Sequence, residues 1–277
     1  MENATARQQW EAAAPGWARW EPTIASWMGP ATEVMLAMAG VELGTRVVDL
    51  ASGAGSQTLL AAQRVGSDGE VVANDIADTM LRHVEGKARS AGLSNVTTVL
   101  GAAEELYITA GSFDAVVCRL GLMLFVEPAT ALAAMHRALR PGGKLAAVVF
   151  TTPEANPFMA KPMQILLRHA GKAPPEPGKP GIFALGGPGV VQRLLADAGF
   201  VEIQQRTMPA PLRLSSAAEA LTMMQEAFGA YRAVISDSPE AVRTAAWADV
   251  AEVLEAFEDR EFVAAAEVLV AAGTKPG

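Results

Sequence analysis

The chain holds a single cysteine, Cys118, in 277 residues. A lone thiol excludes an intrachain disulfide and any metal site built from several cysteines, so no metal is expected. Basic residues are also scarce: 22 Lys and Arg face 30 Asp and Glu, a formal net charge of −8, and they form no cluster along the chain. Nucleic-acid affinity rests mainly on Lys and Arg neutralising phosphates, so no nucleic-acid partner is expected. No apolar stretch reaches the ~18 residues that a membrane span needs, and no span is expected. The opening segment MENATARQQWEAAAPGW is polar and lacks the basic-then-apolar order of a signal peptide, which predicts a cytoplasmic protein. What is present is apolar bulk: 51% of the residues are hydrophobic, enough for a sizeable core.

Short β-branched runs alternate with helical patterns, the mark of a parallel sheet covered on both faces by helices. The runs are Thr45 to Leu50, Glu70 to Asp75, Val96 to Leu100, Phe113 to Cys118 and Lys144 to Phe150. Between them Met80, Val84 and Ala88 recur at helical spacing, as do Leu132, Met135 and Leu139. Turn residues punctuate the changes at Ser67-Asp68-Gly69 and Pro141-Gly142-Gly143. Past Phe150 the rhythm breaks into a helical stretch (Phe158 to His169) and a Pro/Gly/Lys-rich loop (Gly171 to Gly181). A helix ending at Gly199 and a strand near Phe200 to Thr207 follow. A second interruption carries a capping box, Ser216 with Glu219, and a helix started by Ser238-Pro239, before a last strand at Val263 to Gly273.

The chemistry concentrates in VVDLASGAGSQT, where Asp49 precedes small residues at Ala51, Gly53 and Gly55. Small residues at alternate positions let a ligand approach the backbone as it turns from strand to helix. The next strand ends in Asp75, twenty residues after Gly55. In nucleoside-binding α/β sheets an acid at that place accepts the ribose hydroxyls. Two cofactors fit, a dinucleotide or S-adenosylmethionine. The dinucleotide turn wants a third glycine where Thr58 stands, and Asp49 would repel a pyrophosphate but not a sulfonium or ammonium group.

Residues 45 to 150 resemble a class I S-adenosylmethionine-dependent methyltransferase. They are similar to the branch holding the ubiquinone/menaquinone C-methyltransferases and many small-molecule methyltransferases. The likeness runs in order through VVDLASGAG, VVANDIADTML and GAAEELYITAGSFDAVVCRLGLMLFVEPATALAAMHRALRPGGKLA, then LLADAGFVEI. It implies a doubly wound α/β fold with a seven-stranded, mostly parallel sheet of order 3-2-1-4-5-7-6, the last strand antiparallel. Helical lid insertions before and after the sixth strand are implied too. The expected division is a helical cap at 1-44, a cofactor-binding core at 45-152, a lid at 153-186, core again at 187-208, a helical lid at 209-261, and a final core strand and tail at 262-277.

Carried onto this sequence, the resemblance places Asp49, Ala51, Gly53 and Gly55 at the methionine end of the cofactor, with Gln57 as a polar contact. Asp75 would hold the ribose hydroxyls, Ile76 and Met80 would flank adenine, and Ala102 and Ala103 would meet the adenine edge. Cys118, through its backbone, and Arg119 would lie on the ammonium side. The family often has Gly where Ala51 stands, and usually an adenine-binding Asp where Ala102 stands, a contact that is then either lost or taken by backbone, or by Glu104 or Glu105. Trp17, Trp20, Met123, Phe125, Phe158 and Met223 are the candidate substrate-pocket residues. His169, alone among three histidines, falls in a lid and is the candidate base; His83 and His136 are expected to face solvent, and Cys118 is given no nucleophilic role. The expected function is methyl transfer by in-line displacement to O, N or C of a small, largely apolar molecule. A non-catalytic binding module and an NAD(P)-dependent dehydrogenase are the alternatives, and a homodimer is compatible with the chain.

Overall fold

The β-branched runs become the strands β1 (Arg46–Leu50), β2 (Glu70–Asp75), β3 (Val96–Leu100), β4 (Phe113–Arg119) and β5 (Leu139–Phe150) of a computed structural model. It describes residues 3–106, 108–175 and 179–277. Helices α2 (Ser56–Val65), α3 (Asp78–Ser90) and α4 (Pro128–Ala138) connect them; α5 (Pro157–Ala170) and α6 (Val190–Asp197) lead to β6 (Val201–Pro209). After β7 (Leu212–Leu214) come α7 (Ala217–Ala227), α8 (Gly229–Ile235) and α9 (Glu240–Glu255), then β8 (Phe262–Ala264) and β9 (Glu267–Thr274). The main sheet runs β3-β2-β1-β4-β5-β9-β6, with β9 antiparallel to both neighbours. This is the expected order, β9 being its seventh strand in sequence.

Several strand limits differ from the sequence reading. β5 starts at Leu139 rather than Lys144, because Leu139 pairs with Phe113, so the expected turn Pro141-Gly142-Gly143 lies inside the strand at a register shift. β4 runs on to Arg119, and β6 is Val201–Pro209 rather than Phe200 to Thr207. Thr45 stays outside β1 because its hydroxyl accepts the Glu42 N–H at 2.9 Å and its own N–H turns back to the Glu42 carbonyl. The expected last strand, Val263 to Gly273, is two strands. Its first part pairs with β7 in a separate two-stranded ribbon, and its second enters the main sheet. The break is pinned on both sides: the Ala210 N–H reaches the Ala266 carbonyl at 2.8 Å, and the Glu267 N–H reaches Asn156 Oδ1 at 2.8 Å.

The two interruptions pack together. Helix α5 lies on α8 and α9, and α7 on α9. The capping box forms in part: Ser216 Oγ accepts the Glu219 N–H at 3.1 Å, while the Glu219 carboxylate returns to Ser215 rather than to Ser216. Of the Pro/Gly/Lys-rich loop, residues 176–178 lie outside the described set. Among the described residues no helix is long and apolar enough to cross a membrane.

The N-terminal cap is one helix, α1 (Asn3–Met38), despite Pro15, Pro22 and Pro30 within it. Proline leaves the carbonyl four residues earlier without its helical donor, so α1 is held by its surroundings rather than by its own ladder alone. It buries Ile24, Met28, Met35 and Leu36, packs on β5, β9, α3, α7 and α8, and so spans the carboxyl ends of the strands. Gly16 is the tightest point: a Cβ there would lie 1.9 Å from the Glu226 carbonyl oxygen of α7. At Gly29, on the same helix, an added Cβ meets nothing within 4 Å. Gly16→Ala is therefore expected to lower Tm by about 5 °C or more, an overpacking cost on the order of 2 kcal/mol. Gly29→Ala is expected to leave Tm unchanged or raise it through helix propensity. Thermal unfolding of the two variants checks this, and equal shifts would contradict the described α1–α7 contact.

Candidate functional site

In an open α/β sheet, ligands bind outside the carboxyl ends of the strands where the strand order reverses. Here the reversal falls between β1 and β4, which are neighbours in the sheet with β2 on the far side of β1. A cavity opens there, and three layers close it: the turns after β1, β2, β3 and β4, the helix α1, and the lid helices.

The turn after β1 is shaped by glycine at two points. Gly53 has φ 55° and Gly55 φ 96°, both left-handed. A Cβ on Gly53 would come within 2.9 Å of the Trp17 indole nitrogen, so the indole of α1 sits directly on the turn. Ala51 is also left-handed, at φ 50°, a conformation that favours glycine. Its methyl group fits because Gly121 faces it: a Cβ on Gly121 would stand 2.5 Å from that methyl.

Asp75 ties this turn to the next. Its Oδ2 accepts the Gly53 N–H at 2.9 Å and its Oδ1 the Ala77 N–H at 2.9 Å. Burial pushes its carboxyl up to about 6 against the pull of those amide hydrogen bonds. Asp49 lies deeper, with no solvent exposure, and accepts from Thr58 Oγ1 at 2.5 Å and Gln57 Nε2 at 3.2 Å. Burial raises it to about 7, with the Thr58 and Gln57 bonds and the Arg119 charge opposing. Arg119, at the end of β4, donates to Thr32 Oγ1 of α1 at 3.0 Å and to Ser56 Oγ at 2.6 Å. Burial lowers it to about 10, opposed by Asp49 and Glu21, so it remains a cation.

Helix α1 is fastened across this cleft by its own acids. Glu11 accepts the Asp78 and Thr79 N–H groups at 2.6 and 3.3 Å, capping α3 from outside its own chain segment. Glu21 pairs with Lys87 of α3 at 2.7 Å, and Glu33 pairs with Arg64 of α2.

Of the candidate cofactor residues, the cavity wall brings together Ala51, Gly53, Asp75 and Arg119, and beside them Ile76, Met80, Ala102 and Ala103. Asp49, Gly55, Gln57 and Cys118 do not reach the wall but stand behind it. Gln57 and Asp49 are bonded to each other, and burial drives the Cys118 thiol up to about 12, leaving it uncharged. Glu104 is on the wall, with Oε1 accepting the Val126 and Glu127 N–H groups at 3.0 and 3.2 Å. Glu105 is exposed and off the wall.

Of the candidate substrate residues, Trp17, Met123 and Phe125 line the cavity. Trp20, Phe158 and Met223 do not. The Trp20 N–H is spent on Glu226 at 2.7 Å, Phe158 is enclosed by Trp27, Phe257 and Phe262, and Met223 is fully buried in the lid core. His169 is also off the wall, at the end of α5 and 2.8 Å from Asp249 of α9. His136 is half-buried, edge-on to Phe200, rather than solvent-facing. Sequence reasoning missed Ile24, Phe150, Ile182 and Tyr231, which complete the apolar end. No local motif marks them, because α1, β5 and the two interruptions each contribute a residue. The Tyr231 hydroxyl donates to the Met159 carbonyl at 2.8 Å, and burial raises its pKa.

The sign of the Asp49 shift gives a test. Its unfolded value is near 3.9 and its folded value about 7, so between those limits the native state keeps a proton that the unfolded chain has released. Its contribution to stability is therefore full below pH 4 and is lost as pH rises through about 7. Asp49→Asn has no such loss, so it is expected to gain on the natural chain by on the order of a few kcal/mol between pH 5 and pH 8. Urea denaturation at the two pH values checks this; a constant gap would contradict the burial of an acid at this position.

Residues 29–170 match the model of the ubiE/COQ5 methyltransferase family. The ubiquinone/menaquinone biosynthesis C-methyltransferase UbiE of Psychromonas ingrahamii is 38% identical over 121 residues, 43% of this chain and 48% of the relative. That of Proteus mirabilis is 40% identical over the same length and shares. The matched stretch thus spans about half the length of these curated relatives. Among solved structures, YcgJ of Bacillus subtilis aligns with a TM-score of 0.61 at 17% identity over 90% of this chain and 99% of its own. The [4+2]-cyclase SpnF aligns with a TM-score of 0.57 at 17% identity over 95% of both chains. These likenesses concern the fold. With half of its length on the family model, centred on the strands that build the cavity, this chain belongs to the ubiE/COQ5 methyltransferase family.

Proposed function

We propose that the chain is an S-adenosylmethionine-dependent methyltransferase acting on a small, largely apolar organic acceptor. The observation that carries the reading is the continuity of one cavity. An acid-edged cleft over the ends of β1 to β3 opens into a chamber walled by Trp27, Phe150, Met159, Phe228 and Tyr231.

The residues at the cleft suit the cofactor. Asp75 retains lone pairs for two ribose hydroxyls while its amide bonds fix its orientation. Ile76 and Met80 offer one apolar wall for adenine, and Ala102 and Ala103 the other. Glu104 stands where the adenine amino group needs an acceptor and replaces the Asp that Ala102 lacks. Asp75 sets carboxyl oxygens on the cleft wall with Asp49 behind it, and Arg119 supplies a cation for the carboxylate. When bound, the cofactor supplies a methyl group on a sulfonium, already a good leaving group.

What remains for the chain is to orient the acceptor and to exclude water. The chamber walls suit both tasks, since they are aromatic and aliphatic and come from α1, β5, α5 and α8 together. Tyr231 is a positioning group that ties α8 to α5, because its proton is committed to the Met159 carbonyl. His169 takes no part in the reaction, being held by Asp249 outside the wall. The acceptor is a small molecule with an apolar body, methylated at O, N or C by in-line displacement.

Incubation with methyl-labelled S-adenosylmethionine and a panel of apolar aromatic, anionic and nucleic-acid acceptors tests the reading, with label expected on the apolar ones. Ile182→Glu puts a charge on a half-buried part of the chamber wall. It is expected to lower kcat/KM about 100-fold while leaving S-adenosylhomocysteine binding unchanged, because a charge without a partner in an apolar site costs several kcal/mol. His169→Ala is expected to keep turnover within about twofold. Preferential labelling of nucleic acid would overturn the substrate class.

A further inference from the structure

The acceptor chamber has two ends of different character. At its mouth Leu124, Phe125 and Ile182 are half-buried and border solvent. At the other end Ile24, Trp27 and Tyr231 are buried. The strand order gives that end a direction: Asp75 closes β2 and Arg119 closes β4, whereas Phe150 closes β5, the next strand outward, and the Trp27 ring lies 5.8 Å from Phe150. Behind Trp27 stands Phe158, with ring centres 6.5 Å apart, and Phe257 and Phe262 stand 6.2 and 5.8 Å from Phe158. None of these three phenylalanines reaches the cavity wall, and Phe158 and Phe262 have no solvent exposure. The Trp27 indole N–H donates to the Ala210 carbonyl at 2.6 Å, which fixes the ring across the boundary between the chamber and this aromatic cluster.

We infer that Trp27 is the end stop of the acceptor chamber and sets the longest acceptor that this chain takes. The inference rests on the proposed apolar acceptor. In-line displacement brings the nucleophilic atom of the acceptor to the methyl group, on the cofactor side of the chamber, so the apolar body extends away from that side. Along the buried route it meets the Trp27 ring. A ring held by its own hydrogen bond and backed by close-packed aromatic side chains has no free volume into which to swing. A longer body would have to leave through the mouth, where it forgoes the stabilisation that apolar burial gives. The acceptor is therefore a compact ring system rather than a long-chain lipid. Trp27 determines specificity by touching the far end of the acceptor, and it takes no part in the chemistry.

Para-alkylphenols from ethyl to octyl are the probes, measured by equilibrium dialysis of the full chain at saturating S-adenosylhomocysteine. For the natural protein, affinity is expected to rise about fourfold per added carbon while each carbon is buried, and then to level off or fall at one chain length. Trp27→Ala leaves an apolar space where the indole stood, and such spaces take up apolar ligands, so it is expected to move that break to chains longer by about two carbons or more. Its affinity for S-adenosylhomocysteine is expected to stay within about twofold, because the cofactor cleft is a separate site, and this also shows the variant to be folded. An unmoved break in a variant that still binds S-adenosylhomocysteine would overturn the assignment. So would a steady rise with no break in the natural protein, or a break that moves in Ile182→Ala instead, which would put the body of the acceptor in the mouth. If Trp27→Ala does not fold, Trp27→Leu, which refills part of the space, is read in its place: a shift to longer chains supports the end stop, and an unmoved break refutes it. Uptake of no alkylphenol by the natural protein with S-adenosylhomocysteine bound would defeat the proposed apolar acceptor and the end stop with it.

Discussion

A buried carboxylate must be surrounded by donors or give up its charge, and the site of this protein is arranged around two of them. Asp75 is the pivot. One oxygen holds the Gly53 amide and the other the Ala77 amide, so the turn that follows β1 and the turn that follows β2 share one anchor. The floor of the cleft is therefore fixed without a ligand. The start of α3, which follows directly, is capped by Glu11 of α1, and the lid helix is thereby tied to the same corner. The cleft floor and the helix that lies across it are thus parts of one hydrogen-bonded assembly.

The second constraint is close approach. Trp17 over Gly53, Ala51 against Gly121 and Gly16 against the α7 backbone are three contacts in which an added methyl group has no room. They join the turns at the strand ends to each other and to α1, and α1 to α7. This explains how a helix interrupted by three prolines stays in place: it is clamped between the sheet and the lid rather than standing on its own hydrogen bonds.

Much of this was legible in the sequence where the signal is local. The alternation of strands and helices, the glycine turn and the acid twenty residues after it located the sheet and the turns that line the cavity, since each depends on neighbours in the chain. Asp75, Ile76, Met80, Ala102 and Ala103 meet on one wall as their motif positions implied. The acceptor end was less legible because it is assembled from afar. Tyr231, Phe150 and Ile182 come from separate elements, and nothing in their own surroundings marks them. Trp20 and Met223 show the converse: their residue types suit a pocket, yet the turn of the helix points them into the core or to Glu226. The split of the final strand was hidden for the same reason, since Phe262 to Ala264 reads as strand whichever sheet it joins.

The central claim is that one cavity holds the nucleoside on Asp75 and presents the reacting sulfur to the aromatic chamber. A crystal structure of the chain with S-adenosylhomocysteine tests it most directly. The account predicts both ribose hydroxyls within hydrogen-bond distance of the Asp75 carboxylate, adenine between Met80 and Ala103, and the sulfur facing Phe150 and Tyr231. A ligand seated elsewhere, or seated there with its ribose turned away from Asp75, would contradict it.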